Sequence, residues 1–180
     1  MMLAPVLKAF GLNPQEATIN PIHQGLINHT WKVEQHDHAF IVQQINTAVF
    51  KSPEDIAFNI EAISRYLKDK HPEYFFVSPV KTLEGNELVY NNEHGYFRVF
   101  PFVKGSHAIN VVETPVQAYE GAKQFAKFTA VLSSFDCAKL NITIANFHNL
   151  TLRYEQFEEA LRKGNSTRLK ESANLISQLM

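Results

Sequence analysis

The spacing of apolar positions changes near residue 110. Between Thr18 and Lys104 they alternate with polar residues or fall in short runs, which is the pattern of strands. Thr30-Trp31-Lys32-Val33-Glu34 alternates, and Ala39-Phe40-Ile41-Val42-Gln43-Gln44-Ile45 is the next strand, with Gln35-His36-Asp37-His38 between them at hairpin distance. Residues 77–83 are a further strand candidate. Gly85-Asn86 turns into Glu87-Leu88-Val89-Tyr90, and Asn91-Asn92-Glu93-His94-Gly95 turns into Tyr96-Phe97-Arg98-Val99-Phe100. Successive hairpins predict an antiparallel sheet.

One helix interrupts this region. Ser52 is an N-cap candidate, Pro53 fits the first helical position, and Glu54 and Asp55 suit the positive end of the dipole. Ile56, Ile60, Ile63 and Leu67 form one apolar face, and Pro72 stops the helix. After Gly105 the period is helical. Thr114-Pro115-Val116-Gln117 is a capping-box start, and the helix it opens is predicted to run to about Phe135, with Ala118, Ala122, Phe125, Leu132 and Phe135 along one side. Another helix is expected over 152–163, ended by Gly164, and a last one over 166–180, with Leu169, Ala173, Ile176 and Met180 in register. The prediction is an α+β fold: a five-stranded antiparallel sheet with one helix inserted after its third strand, followed by helices.

Composition narrows the function classes. The 14 Phe, six Tyr and one Trp among 180 residues exclude a disordered chain. A formal net charge of -1 argues against nucleic acid or a membrane surface as partner. The single Cys137 excludes an internal disulfide and a multi-cysteine zinc site. Residues 1–12 lack a basic leader, with Lys8 interrupting a short apolar stretch, so they read as an amphipathic helix rather than a signal peptide. The expected compartment is a reducing cytoplasm. Four Asn-x-Ser/Thr sequons, starting at Asn28, Asn141, Asn149 and Asn165, are then read as chance.

Candidate chemistry is sparse. His29, His36 and His38 could suggest a metal, but two of them fall in the hairpin tip, where exposed turn histidines are expected. Cys137 reads as a packing cysteine at a helix end, and Ser133-Ser134 lacks the glycine frame of a nucleophile elbow. More informative is the stretch from Asn20 to Thr30, which joins two strands around Gly25 and is either an ordinary hairpin or a loop that lays backbone N–H groups over phosphates. A kinase-like fold would place a Lys on the third strand. The position here is Gln43 or Gln44. Glu61 lies one step off the apolar stripe of its helix and faces a cleft or water.

Gly25-Leu26-Ile27-Asn28-His29-Thr30-Trp31-Lys32-Val33 and the stretch Phe40-Ile41-Val42-Gln43-Gln44-Ile45-Asn46-Thr47-Ala48-Val49-Phe50-Lys51-Ser52-Pro53 resemble the start of the aminoglycoside-phosphotransferase-like superfamily, in particular its N-acetylhexosamine 1-kinase branch. Tyr96-Phe97-Arg98-Val99-Phe100-Pro101-Phe102-Val103, Phe147-His148-Asn149 and Arg153-Tyr154-Glu155-Gln156-Phe157 fit the same branch in the same order. The resemblance implies a kinase-like fold, with a nucleotide-binding N-lobe over residues 1–103 and the hinge exit and first C-lobe helices over 104–180. Gly25, Leu26, Ile27, Asn28 and Thr30 would cover the phosphates. Val42 and Phe100 would flank adenine, with Phe102 nearby, and Pro101, Phe102 and Val103 would form the hinge. Gln43 would take the third-strand position, as it does in this branch, and Glu61 would be the nearest candidate for the helix acid. ATP and Mg2+ are the implied cofactors, and a sugar hydroxyl is the implied acceptor of the γ-phosphoryl group. His148 and Arg153 are expected either to touch substrate or to pack on a helix surface.

The chain departs from this family in one respect. Phosphoryl transfer needs an Asp to orient the acceptor and an Asn and an Asp for the metal. The family's His-x-Asp loop is absent, and none of the four Asp (Asp37, Asp55, Asp69 and Asp136) fits it. The chain therefore reads as the N-terminal portion of such a kinase, with no catalytic residue or metal ligand of its own, inactive alone. The alternative is a non-catalytic kinase-like interaction module or degenerate remnant, with exposed helix faces that could form a homodimer.

Overall fold

Residues 18–44 form three strands in the computed structural model, which describes residues 2–23 and 25–179. They are β1 (Thr18–Ile22), β2 (His29–Gln35) and β3 (His38–Gln44). Helix α2 (Pro53–Lys70) follows, then β4 (Val89–Asn91) and β5 (Gly95–Pro101). The five strands form one antiparallel sheet in the order β1-β2-β3-β5-β4. The expected α+β fold, with a helix inserted after the third strand, is the observed one. The turn between β2 and β3 is tight because His36 takes a left-handed conformation, φ 52°.

Residues facing each other across the sheet share a side, so the register sorts the strands into two faces. One face carries Val33, Val42, Phe97 and Val99, all fully buried. The amphipathic N-terminal segment covers it: helix α1 (Ala4–Ala9) contributes Val6 and Leu7, and Leu3 and Phe10 flank it. The other face carries Thr30 and Lys32 on β2, Ile41 and Gln43 on β3, and Arg98 and Phe100 on β5.

Five sequence expectations need correction. Residues 77–83 are extended but not a strand: Pro79 has no N–H to donate, and the segment touches β5 through a single bond, from Val80 N to Val99 O at 2.7 Å. Ser52 precedes α2 but its side chain makes no cap hydrogen bond. The helix after the sheet, α3 (Pro115–Val131), has the expected Thr114/Gln117 capping box but ends four residues before Phe135. The last predicted helix is two, α5 (Ser166–Glu171) and α6 (Ala173–Leu179), separated by Ser172; the expected stripe residue Met180 lies outside the described residues. Before them α4 (Leu150–Lys163) starts two residues earlier than expected, capped by the Asn149 side chain on Leu152 N.

The chain divides into two compact units, Met1–Thr143 and Ile144–Met180. In the first, Asn141, ten residues beyond the end of α3, ties the segment after that helix to α2: its N–H donates to Asn59 Oδ1 at 2.8 Å, its carbonyl accepts from Asn59 Nδ2 at 2.9 Å, and its own amide donates to Asp55 Oδ1 at 2.8 Å. Phe128 of α3 stacks on Phe76. The other three sequon asparagines are also engaged. Asn28 accepts from Asn46 N, Asn149 caps α4 and Asn165 caps α5. Among the described residues no helix is long and apolar enough to cross a membrane.

Candidate functional site

The face of the sheet turned away from α1 holds two adjacent rows of different chemistry. The first runs across three strands as Thr30, Gln43 and Arg98. Gln43 Nε2 donates to Thr30 Oγ1 at 3.4 Å, and Gln43 Oε1 accepts from Arg98 Nε at 3.0 Å and Nη2 at 2.7 Å. The guanidinium is half-buried, and burial pulls its pKa below the ordinary arginine value. The second row is Lys32, Ile41 and Phe100. It is apolar at its centre, and Arg98 lies over the Phe100 ring at 5.1 Å. Lys32 binds Glu34 at 2.7 Å and stands 4.6 Å from the Phe102 ring.

A glycine-bearing loop leads into the first row. Asn28 anchors it, since its Oδ1 accepts from Asn46 N at 2.9 Å and Asn46 Nδ2 donates to the Ile27 carbonyl at 3.2 Å. Leu26 is fully exposed and Ile27 is exposed. A Cβ on Gly25 would meet Asn28 O at 3.4 Å and Thr30 Oγ1 at 4.0 Å, ordinary contacts, so the described packing leaves room for a side chain at this position.

The second row opens onto a cleft of about 820 Å³. Ile41, Phe100, Pro101, Phe102 and Val103 line one side, with Ile22, His23 and Val77 among the other lining residues. Phe102 N–H donates to Ala39 O at 2.9 Å, and the Val103 carbonyl accepts from Ser106 N at 3.0 Å. Among the described residues, Val103 N–H and the Phe102 carbonyl have no backbone partner.

The structure thus brings Gly25, Asn28, Thr30, Gln43, Phe100, Pro101, Phe102 and Val103 to one face and its rim. Val42 is not among them. It is fully buried against α1 on the opposite face, and its neighbour Ile41 stands beside Phe100 instead. The run Phe40-Ile41-Val42 is apolar throughout, so the sequence gives no sign of which residue faces out. Of the two glutamines, Gln43 faces the loop, whereas Gln44 Nε2 donates to His94 O at 2.6 Å. Glu61 lies in a different cleft, with Glu54, Lys81, Glu87 and Tyr96. Arg65 donates to it at 3.0 Å and Lys81 Nζ is 3.5 Å away; the Arg65 hydrogen bond, aided by Lys81, holds its carboxyl below the ordinary value. A lysine does stand near Glu61, though on the 77–83 segment rather than on β3. Two residues that the sequence reading left out of the site complete the face: Ile41, and Arg98, whose charge inside an otherwise apolar strand was the available signal.

The remaining candidates have local roles. Asp37 lies in the β2–β3 turn, Asp55 and Asp69 on α2, and Asp136 caps a short 3-10 turn through Ala138 N at 3.1 Å. Cys137, expected to pack, is exposed. His36 Nε2 is 3.1 Å from Glu16. Arg153 bonds Gln156 and the Asn146 carbonyl within its own unit, and His148 sits edge-on to Phe147. Among the described residues, no group of three or more His, Cys, Asp or Glu could hold a metal ion.

Residues 18–178 match the model of the phosphotransferase enzyme family. Among solved structures, a spectinomycin phosphotransferase in complex with ADP and spectinomycin is similar at a TM-score of 0.44 and 13% identity. The alignment covers 99% of this chain and 58% of that one, so the chain spans little more than half that protein's length. With the family match running through nearly all of its residues, the chain belongs to the phosphotransferase enzyme family.

Proposed function

We propose that residues 1–103 are the nucleotide-binding lobe of an ATP-dependent small-molecule kinase, and that 104–180 are the hinge exit and first helices of its second lobe. The observation that carries this reading is the pair of rows on one sheet face, polar and cationic beside the glycine loop, apolar beside residues 101–103. A nucleotide has the same two ends. Its adenine would lie against Ile41 and Phe100, with the Val103 N–H and the Phe102 carbonyl offered to its edge. Its phosphates would lie under residues 25–28 and Thr30. Gly25, which the chain's own packing does not require, gives a ligand close approach to backbone. The reaction would transfer the γ-phosphoryl group of ATP to a hydroxyl, and the likeness of residues 25–53 and 96–103 to the N-acetylhexosamine 1-kinase branch supports a sugar as acceptor.

In such a reaction Mg2+ neutralises charge on the phosphates. The reading assigns it no ligand in this chain, and among the described residues no group of three or more His, Cys, Asp or Glu comes together. What these residues would supply is binding and orientation: the loop positions the phosphates, and the apolar row excludes water from the base. Glu61, paired with Arg65 and Lys81, would order α2 rather than touch the nucleotide.

The test is a calorimetric titration with ADP and ATP, followed by incubation with ATP, Mg2+ and N-acetylhexosamines. Saturable binding without turnover is expected. Multiple turnovers would contradict the reading that none of these four Asp serves catalysis, and no binding at millimolar nucleotide would contradict the nucleotide lobe. One observation favours a second reading, a non-catalytic interaction module. Helix α3 has no buried residue, and Val116, Tyr119 and Phe125 are each at least 65% exposed. That reading predicts self-association without nucleotide binding.

A further inference from the structure

We propose that Arg98 is the cation that binds the nucleotide's phosphates, and that Gln43 is the residue that positions it. This rests on the nucleotide reading of the same site and adds the group that would meet the charge. Protein kinases meet it with a lysine on the third strand. Here that strand offers Gln43, which is neutral, and the positive charge stands one strand away on β5, in register with it.

Three observations separate this from a structural arginine. First, all the partners of the guanidinium are neutral: Gln43 Oε1 accepts from Nε and Nη2, and the Phe100 ring lies beneath. Among the described residues no carboxylate pairs with it, although it is half-buried, where an uncompensated charge is costly. Second, an arginine has five N–H donors, and two are spent on Gln43, so most of the fork is available to an anion. Third, Gln43 also donates to Thr30, the last residue of the glycine loop. One amide therefore holds the cation beside the strand end where the loop returns. A glutamate at position 43 would hold the same fork more tightly but would quench its charge. A glutamine orients it and leaves the charge available.

The experiment compares the full chain with Arg98→Met, Arg98→Lys and Gln43→Glu. ADP affinity is measured by calorimetry, adenosine affinity by ligand-observed NMR, and folding by thermal melting. Arg98→Met and Gln43→Glu should each weaken ADP about tenfold to a hundredfold, as for loss of a charge-assisted contact, with adenosine binding unchanged and Arg98→Lys intermediate. Gln43→Glu is the decisive variant, because it should melt no lower than the parent chain while losing ADP. Parent-like ADP binding by Gln43→Glu, or parallel loss of ADP and adenosine, would overturn the assignment of Arg98 and leave the nucleotide reading standing. If the parent chain binds neither ligand, the nucleotide reading fails and this assignment with it.

Discussion

Neighbours in sequence on β3 have opposite tasks. Val42 is fully buried between Trp31 and Val99 on the core side, while Ile41 faces the cleft beside Phe100. Substitution should separate stability from binding. Val42→Ala removes two buried methyl groups and is expected to cost about 1–3 kcal/mol by chemical denaturation while leaving ADP affinity intact. Ile41→Ala should cost less stability and weaken ADP severalfold. The reverse result would put the nucleotide on the wrong face. A second residue-scale prediction concerns Glu87, whose buried Oε2 has no hydrogen-bond partner. Burial, and then the nearby Glu61 charge, raise its pKa above the ordinary glutamate value. The folded state therefore holds this proton more tightly than the unfolded chain does, and stability falls as pH rises past the ordinary glutamate range. Glu87→Gln should raise the melting temperature at neutral pH, and the gain should vanish as pH drops below that range, where both states are protonated.

At the scale of elements, helix α1 closes the core. Leu7 is fully buried against the sheet face that carries Val33, Val42, Phe97 and Val99. Leu7→Ala is expected to cost about 2–5 kcal/mol, measured by urea unfolding, and a loss below 1 kcal/mol would mean that α1 does not hold the sheet. These elements were largely legible in the sequence because their signals are local. A two-residue period marked β2, short apolar runs beside turn residues marked β3 and β5, and the Thr114/Gln117 box marked the start of α3. Long-range information was not legible. Residues 77–83 have a strand's composition, yet strand status depends on a ladder that Pro79 cannot complete. The apolar run Phe40-Ile41-Val42 does not say which of its residues α1 covers, so the resemblance points to Val42 where the structure turns Ile41 to the open face. Arg98 stands in plain view in the sequence, but the role proposed for it depends on its register with Gln43, 55 positions away.

At the scale of the whole molecule, the two rows of the open sheet face and the family match point the same way. The family match places the chain in the phosphotransferase enzyme family. The rows indicate where a nucleotide would lie and which end would point where. The four Asp are placed in a turn, on α2 and at a cap, and three of them are engaged there: Asp55 with Asn141, Asp69 with Lys70 and Asp136 with Ala138. That is why binding, rather than turnover, is the property expected of these 180 residues. The most direct test is an amide chemical-shift titration of the chain with ADP. Saturable shifts should concentrate at Gly25, Asn28 and Thr30, at Ile41 and Gln43, and from Arg98 through Val103. Absence of saturable shifts, or shifts centred on Glu61, Lys81 and Glu87, would contradict the account.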